Sequence, residues 1–307
     1  MDANPIRHIA LIGFGEVGGI FGQDFAKAGL GVSAFDILVN AELSRSALLK
    51  KAENAKVRAC DSLENAILGA DLVISAVTAS SAADAAGSAA PFLTSGQTYL
   101  DINSVSPDTK REIARVVSGS PATFVEAAVM APVPPQRLKV PMLLGGASAV
   151  QAAARLAAIG MKGKAISEQI GVASAIKMCR SIIIKGLEAI TLESMFTARR
   201  YGAEKQVLES LAATYPGLGW DGTLPDYLIS RIAEHGKRRA AEMHEAAQAV
   251  ADAGLDPLMA LATAERQDWL ARTIAEFSVP VAKGEAFAWQ ELADMIAEAI
   301  SPKAAKL

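Results

Sequence analysis

Three glycines spaced Gly13-x-Gly15-x-x-Gly18 follow the apolar run His8–Ile12 and open a helical pattern. That order of residue types suits one chemistry, the holding of a diphosphate. The first glycine permits a sharp turn, the second lets backbone approach the phosphates, and the third lets helix and strand pack closely. A helix start there adds unpartnered N–H groups and a partial positive charge. Gly13, Phe14, Gly15, Glu16, Val17 and Gly18 are therefore the candidate cradle. A second apolar run ends in Asp36, 18 residues after Gly18. An acid at that point accepts hydrogen bonds from an adenosine ribose diol and repels a 2′-phosphate. Ile37, Leu38 and Val39 follow it, with no arginine to receive such a phosphate. NAD is thus the expected cofactor, ahead of NADP.

A lysine offers the second chemistry. Lys177 lies among Ala173, Ala175, Ile176, Met178 and Ile182, with Arg180 three residues on. An amine in that setting is either a charge snorkelling to water at a helix start or a functional group. Desolvation and nearby positive charge lower a lysine pKa. At roughly 7–8 such an amine can exchange a proton with a substrate hydroxyl. Asn103 and Ser104 follow the apolar run "TYLDI", at a strand end of the kind where open α/β sheets bind ligands. The bland alternative for this stretch is a turn with a helix cap before Pro107, a part that Ser106 suits better. Val77 and Thr78 end a further strand and are expected along the adenosine ribose, mostly through backbone.

These residues need a frame. Short apolar runs end at Gly13, Asp36, Cys60, Val77, Ile102, Val129 and Gly146, and helical stretches sit between most of them. The stretches are 20–28, 41–51, 62–68, 81–90 and 107–117. Such alternation predicts an α/β domain of Rossmann type, with a mostly parallel sheet covered on both faces. The Pro-rich stretch "PVPPQRLKVPM" between the last two runs suggests a hairpin-like appendage at the sheet edge. Beyond about Gly171 the strands stop. Residues 172–200 contain no proline and one internal glycine, and read as a single helix closed by Gly202. Helices are also expected over 203–214, 224–253, 257–277 and 289–300. The last places Trp289, Leu292, Ala293, Ile296 and Ile300 on one face. The expected organisation is a dinucleotide-binding domain, 1–167, and an all-helical domain, 168–307.

With these motifs in order, the chain resembles the β-hydroxyacid dehydrogenases, the group of 3-hydroxyisobutyrate and 6-phosphogluconate dehydrogenases. Four blocks from His8 to about Arg200 carry the resemblance: the glycine loop, "YLDINSVSPDT", "VEAAVMAPVP" and "GVASAIKMCRS". The second block implies that Asn103 and Ser104 contact the nicotinamide end and the substrate. The third stands in the place of the family's D-A-P-V-S-G-G substrate loop, with Met130, Ala131 and Pro132 replacing serine and two glycines. The fourth puts the family's catalytic lysine on Lys177 and replaces its asparagine, one helical turn on, by Ser181. Both replacements imply a substrate unlike that of the better-known members. The resemblance also allows a basic residue of "HGKRRAAEM" to face the substrate acid, with Lys237 the candidate. The pattern there reads better as a solvated helix face, with Arg238 and Glu242 paired at i,i+4.

The implied function is an NAD(P)-dependent oxidoreductase acting on a small hydroxy acid or related alcohol, with Lys177 as general acid/base. An imine reductase, an oxidative decarboxylase of a phosphorylated sugar acid, and a non-catalytic NAD(H) sensor are the alternatives. The resemblance further implies a homodimer through the helical domain. Composition narrows the classes. Over 307 residues the net charge is −3 and aromatics make up 5%, which argues against a nucleic-acid partner. No run is long and clean enough to span a bilayer. The start "MDANPIRH" shows no signal-peptide core, so the cytoplasm is the expected location. Cys60 and Cys179 read as structural thiols. With three histidines and no ligand spacing, no metal is expected.

Overall fold

The computed structural model describes residues 5–301, so the first four residues of the N-terminal start read above lie outside it. Strand and helix alternate as β1 (His8–Ile12), α1 (Glu16–Lys27), β2 (Gly31–Phe35), α2 (Glu42–Ala55), β3 (Arg58–Ala59) and α3 (Leu63–Ile67). The alternation continues through β4 (Leu72–Ser75), α4 (Ala82–Ala89), β5 (Thr98–Asp101), α5 (Pro107–Val117) and β6 (Thr123–Val129). Then follow α6 (Val133–Gln136), β7 (Pro141–Gly145), α7 (Ala149–Ala158) and β8 (Lys162–Ser167). The eight strands form one sheet in the order β3-β2-β1-β4-β5-β6-β7-β8. Every pairing is parallel except β6 with β7. This is the Rossmann-type architecture that the alternation predicts.

Parallel strands covered on both faces must be apolar on both. Ile9, Leu11, Leu72 and Ile74 belong to one core, and Ala10, Ile12, Val73 and Tyr99 to a second. Strand order reverses between β1 and β4, because β1 leads to β2 on one side while β4 leads to β5 on the other. Carboxyl ends of strands at such a switch point frame a crevice suited to ligands.

Two expectations for this region need correction. The helix expected from Ile20 begins at Glu16, despite Gly18 and Gly19 in its first turns. Gly18 is there for clearance, since a Cβ on it would lie 2.2 Å from the Gly13 carbonyl oxygen. The antiparallel pair β6–β7 does form, but it is not the sheet edge. β8 lies outside β7 and runs parallel to it. Its sequence, KGKAIS, has no apolar run because an edge strand buries little. Gly163 lets it pack tightly, with space for a Cβ only 2.8 Å from the Leu144 side chain.

Past β8 the chain is helical: α8 (Val172–Arg200), α9 (Glu204–Thr214), α10 (Leu224–Asp252), α11 (Leu258–Glu276) and α12 (Trp289–Ile300). The chain divides into two compact units between Lys177 and Met178, so α8 begins in the first and continues in the second. Within the second unit, α10 and α11 cross closely at Gly236, where a Cβ would meet the Gln267 carbonyl oxygen at 2.6 Å. Leu192, Ile229, Leu270, Trp289 and Ile296 share its main core. Four residues of the expected α12 face are buried, whereas Ile300, in the final turn, is 43% exposed.

Candidate functional site

The glycine loop sits at the switch point. Gly13 adopts φ +90°, and a Cβ on it would fall 2.4 Å from the carbonyl oxygen of Ala76, just past β4. Side chains are thereby excluded on steric and conformational grounds together. Gly15 differs, since nothing lies within 4 Å of where its Cβ would be. It caps α1 with no side-chain hydrogen bond, so the first N–H groups of the helix have no side-chain cap. Gly15 and Glu16 are exposed, Val17 is half-buried, and Phe14 is buried beneath the loop.

Asp36 follows β2 directly and turns its carboxylate onto that loop. Oδ2 accepts the Phe14 N–H at 2.7 Å and Oδ1 accepts the Leu38 N–H at 3.0 Å. Each oxygen keeps a further lone pair. Ile37 and Leu38 beside it are exposed. These residues fit a dinucleotide: a loop bare of side chains at Gly13 and Gly15, an uncapped helix start, and an acid held on the loop.

β1, β2, β4, β5 and β6 run parallel, so their carboxyl ends lie along one edge. The structure thus brings Gly13–Gly18, Asp36, Val77, Thr78, Asn103, Ser104 and Met130 to that edge. Their states differ. Thr78 is exposed and Ser104 half-buried. Asn103 is 4% exposed and spent on the fold: its Oδ1 accepts the Val77 N–H at 2.7 Å and its Nδ2 donates to Ser75 Oγ at 2.9 Å. It locks the ends of β4 and β5 together, and the Val77 N–H is consumed in doing so. Met130 is half-buried, and its N–H goes to the Pro141 carbonyl. Pro132 has no N–H, and α6 starts directly after it, so this loop lacks the free backbone donors of a glycine pair.

Lys177 is half-buried, in the second turn of α8. The start of that helix is pinned by Glu126, fully buried in β6 level with Asp101. Glu126 Oε1 accepts the N–H groups of Gly171 (2.9 Å) and Ala173 (3.0 Å), and Oε2 accepts from Ser174 Oγ at 3.1 Å. Gly145 makes room, since a Cβ there would lie 2.4 Å from Glu126 Oε1. Glu126 was not evident as a helix anchor from the sequence. Its signal was an acid in the middle of the apolar strand "TFVEAAV". The same signal marks Asp101 in "TYLDI", which forms a buried ion pair with Lys110 at 3.1 Å.

In the helical unit, Ser181 is buried and Lys185 Nζ donates to its Oγ at 3.3 Å. Lys185 also pairs with Glu242 at 2.7 Å, and burial pulls its pKa down. Arg239 grips Glu188, whose carboxyl burial pushes up, and Gln267 Nε2 donates to the same carboxylate at 3.3 Å. Lys185 and Glu188 went unread in the sequence, and Arg239 was read only as part of the basic cluster, because their pairing joins helices far apart along the chain. Of the basic cluster, Lys237 is exposed and Arg238 pairs with Glu242. Cys60 is buried, as a structural thiol should be, whereas Cys179 is exposed.

Comparison with known proteins fits this geometry. Residues 8–161 match the NAD binding domain of 6-phosphogluconate dehydrogenase, and residues 198–270 match a domain of unknown function (DUF1932). An uncharacterized 28.5 kDa protein of Methanothermus fervidus is 30% identical over 82% of this chain and 94% of its own length. The crystal structure of a conserved hypothetical protein from Sinorhizobium meliloti 1021 is 35% identical, with a TM-score of 0.78 over 97% of this chain and 98% of that one. Mycobacterium tuberculosis 3-hydroxyisobutyrate dehydrogenase shares the fold at 18% identity, with a TM-score of 0.68 over 95% of this chain and 99% of that one. The nucleotide-binding half and the helical half together place the chain among the 3-hydroxyacid-dehydrogenase-like proteins, in a divergent branch that joins the NAD binding domain of 6-phosphogluconate dehydrogenase to a helical domain of unknown function.

Proposed function

We propose that the protein is an NAD-dependent dehydrogenase of a small hydroxy acid or related alcohol, with Lys177 as general acid/base. The observation that carries this reading is the Asp36 carboxylate, held at 2.7 Å on the glycine loop at the switch point. Gly15, Glu16 and Val17 would face the diphosphate, and Asp36 the adenosine ribose. The acid and the apolar Ile37 and Leu38 beside it favour NAD over NADP. The bound nicotinamide supplies the hydride acceptor, or the donor in reverse. Lys177, in its neutral form, takes the proton of the substrate hydroxyl and returns it in reverse. Glu126 fixes the helix start from which Lys177 projects. Ser104 and Met130 border the substrate, and Asn103 acts by positioning. Ser181 and Lys237 stay candidate substrate contacts in the helical unit, Ser181 with its hydroxyl already bonded to Lys185.

The same reading makes the helical unit a homodimer surface. It is supported by large exposed apolar side chains on α8 and α11, among them Ile183 (71%), Ile190 (55%) and Met259 (61%).

The test measures NAD and NADP binding, then turnover over a panel of hydroxy acids. Lys177→Met is expected to abolish turnover while NAD still binds. Near-normal kcat in that variant would refute the lysine's role. Binding without turnover on any substrate would favour the sensor alternative.

A further inference from the structure

Lys51, near the end of α2, reaches 36 residues back along the chain to the glycine loop. Its Nζ donates to the Phe14 carbonyl at 2.6 Å and to the Gly15 carbonyl at 2.7 Å. It also lies 5.1 Å from the centroid of the Phe14 ring. The path is open because position 19 lacks a side chain: a Cβ on Gly19 would stand 2.7 Å from Lys51 Cε and 2.9 Å from Nζ.

The grip has a directional consequence. In a trans peptide the C=O and the following N–H point in opposite directions. Holding the Phe14 and Gly15 carbonyls towards Lys51 therefore turns the N–H groups of Gly15 and Glu16 the other way. A cation on a carbonyl also polarises its peptide, which strengthens the opposite N–H as a donor. The Phe14 N–H is held separately by Asp36. Charged side chains thus hold both polar groups of the Phe14 backbone, and the next two donors are left aimed outwards.

We infer that Lys51 is a positioning residue for the dinucleotide diphosphate: it acts through the Phe14 and Gly15 carbonyls to present the Gly15 and Glu16 N–H groups. This rests on the reading of the glycine loop as the cofactor site, and not on Lys177. The effect belongs to the diphosphate, so NADH and ADP-ribose should feel it equally.

The experiment titrates NADH and ADP-ribose against the full chain by calorimetry. Lys51→Met is expected to weaken both by about tenfold or more, and Lys51→Arg to recover most of the loss. Gly19→Ala keeps the lysine but obstructs its path. It is expected to weaken both ligands while the melting temperature holds or rises, since alanine favours a helix. Hydrogen exchange of the ligand-free protein should show faster exchange around residues 15–19 in Lys51→Met. Unchanged affinity in Lys51→Met overturns the inference, as does an equal loss in the Met and Arg variants. If the unaltered protein binds neither ligand, the cofactor reading itself fails first.

Discussion

At the scale of the residue, side chains of one type do different work according to what they touch. Asn103 has the position of a ligand contact but the bonding of a brace. Asn103→Ala should leave the Val77 N–H and Ser75 Oγ without that partner. The expected cost is about 1–3 kcal/mol, read from urea denaturation. A variant as stable as the parent would return Asn103 to the list of direct contacts. The thiols give a second test. Burial raises the pKa of Cys60, while Cys179 stands in solvent. An aromatic disulfide reagent should titrate one thiol quickly in the native protein and the second only on unfolding. The place of Asp36 beside the glycine loop was legible from sequence because it follows from a short spacing within one strand-turn-helix unit. Asn103 was legible as a location but not as a brace, because its partners sit on the neighbouring strand. Lys51 left no local trace, since its significance comes only from folding α2 back onto the loop.

At the scale of the element, the long helix was readable end to end. Residues 172–200 have no proline, and the turn at Gly202 takes φ +63°. Periodicity could not show what anchors that helix. Glu126→Ala removes the acceptor of two N–H groups and one hydroxyl in a fully buried site. The expected loss is about 3 kcal/mol, with faster hydrogen exchange at 171–175. Glu126→Gln should recover part of it, and a neutral result would show that the helix start is held otherwise. Farther along α8, Arg199 forks between Asp294 of α12 and Glu204 of α9. Arg199 holds the Asp294 carboxyl below its usual range. Glu204 is lowered first by its own backbone N–H and then by Arg199. Depressed carboxyl pKa values add stability that is present above the ordinary carboxylate range and lost as pH falls through the lowered values. Asp294 is more than half exposed and Arg199 about a third, so solvent screens the fork and the effect is small. Arg199→Met should lower the melting temperature slightly at pH 7, and the gap should close below about pH 4. β8 was missed for the reason that edge strands often are: lysines and small residues satisfy an exposed edge without any apolar run.

At the scale of the whole molecule, the two units differ in how much their sequences disclose. The first carries motifs with fixed spacing, and its nucleotide-binding class could be read before its shape. The second is alanine-rich helix with its charges paired across helices, and its shape was readable while its purpose was not. Among the described residues no helix is long and apolar enough to cross a membrane. The exposed isoleucines of α8 are large apolar side chains on one helix, and the proposal above covers them with a second copy of the chain. The double variant Ile183→Glu, Ile190→Glu should halve the mass seen by light scattering while helicity persists. A parent protein that is already monomeric would end that proposal.

The division between Lys177 and Met178 falls inside an unbroken helix, and this limits how such a chain can be dissected or recombined. A fragment severed at the division would start in mid-helix with raw amide ends, leaving behind the seated first turn that Glu126 holds. A chimaera that exchanges C-terminal halves between relatives should therefore be joined upstream of Gly171, and only with a donor that finds an acid waiting at position 126.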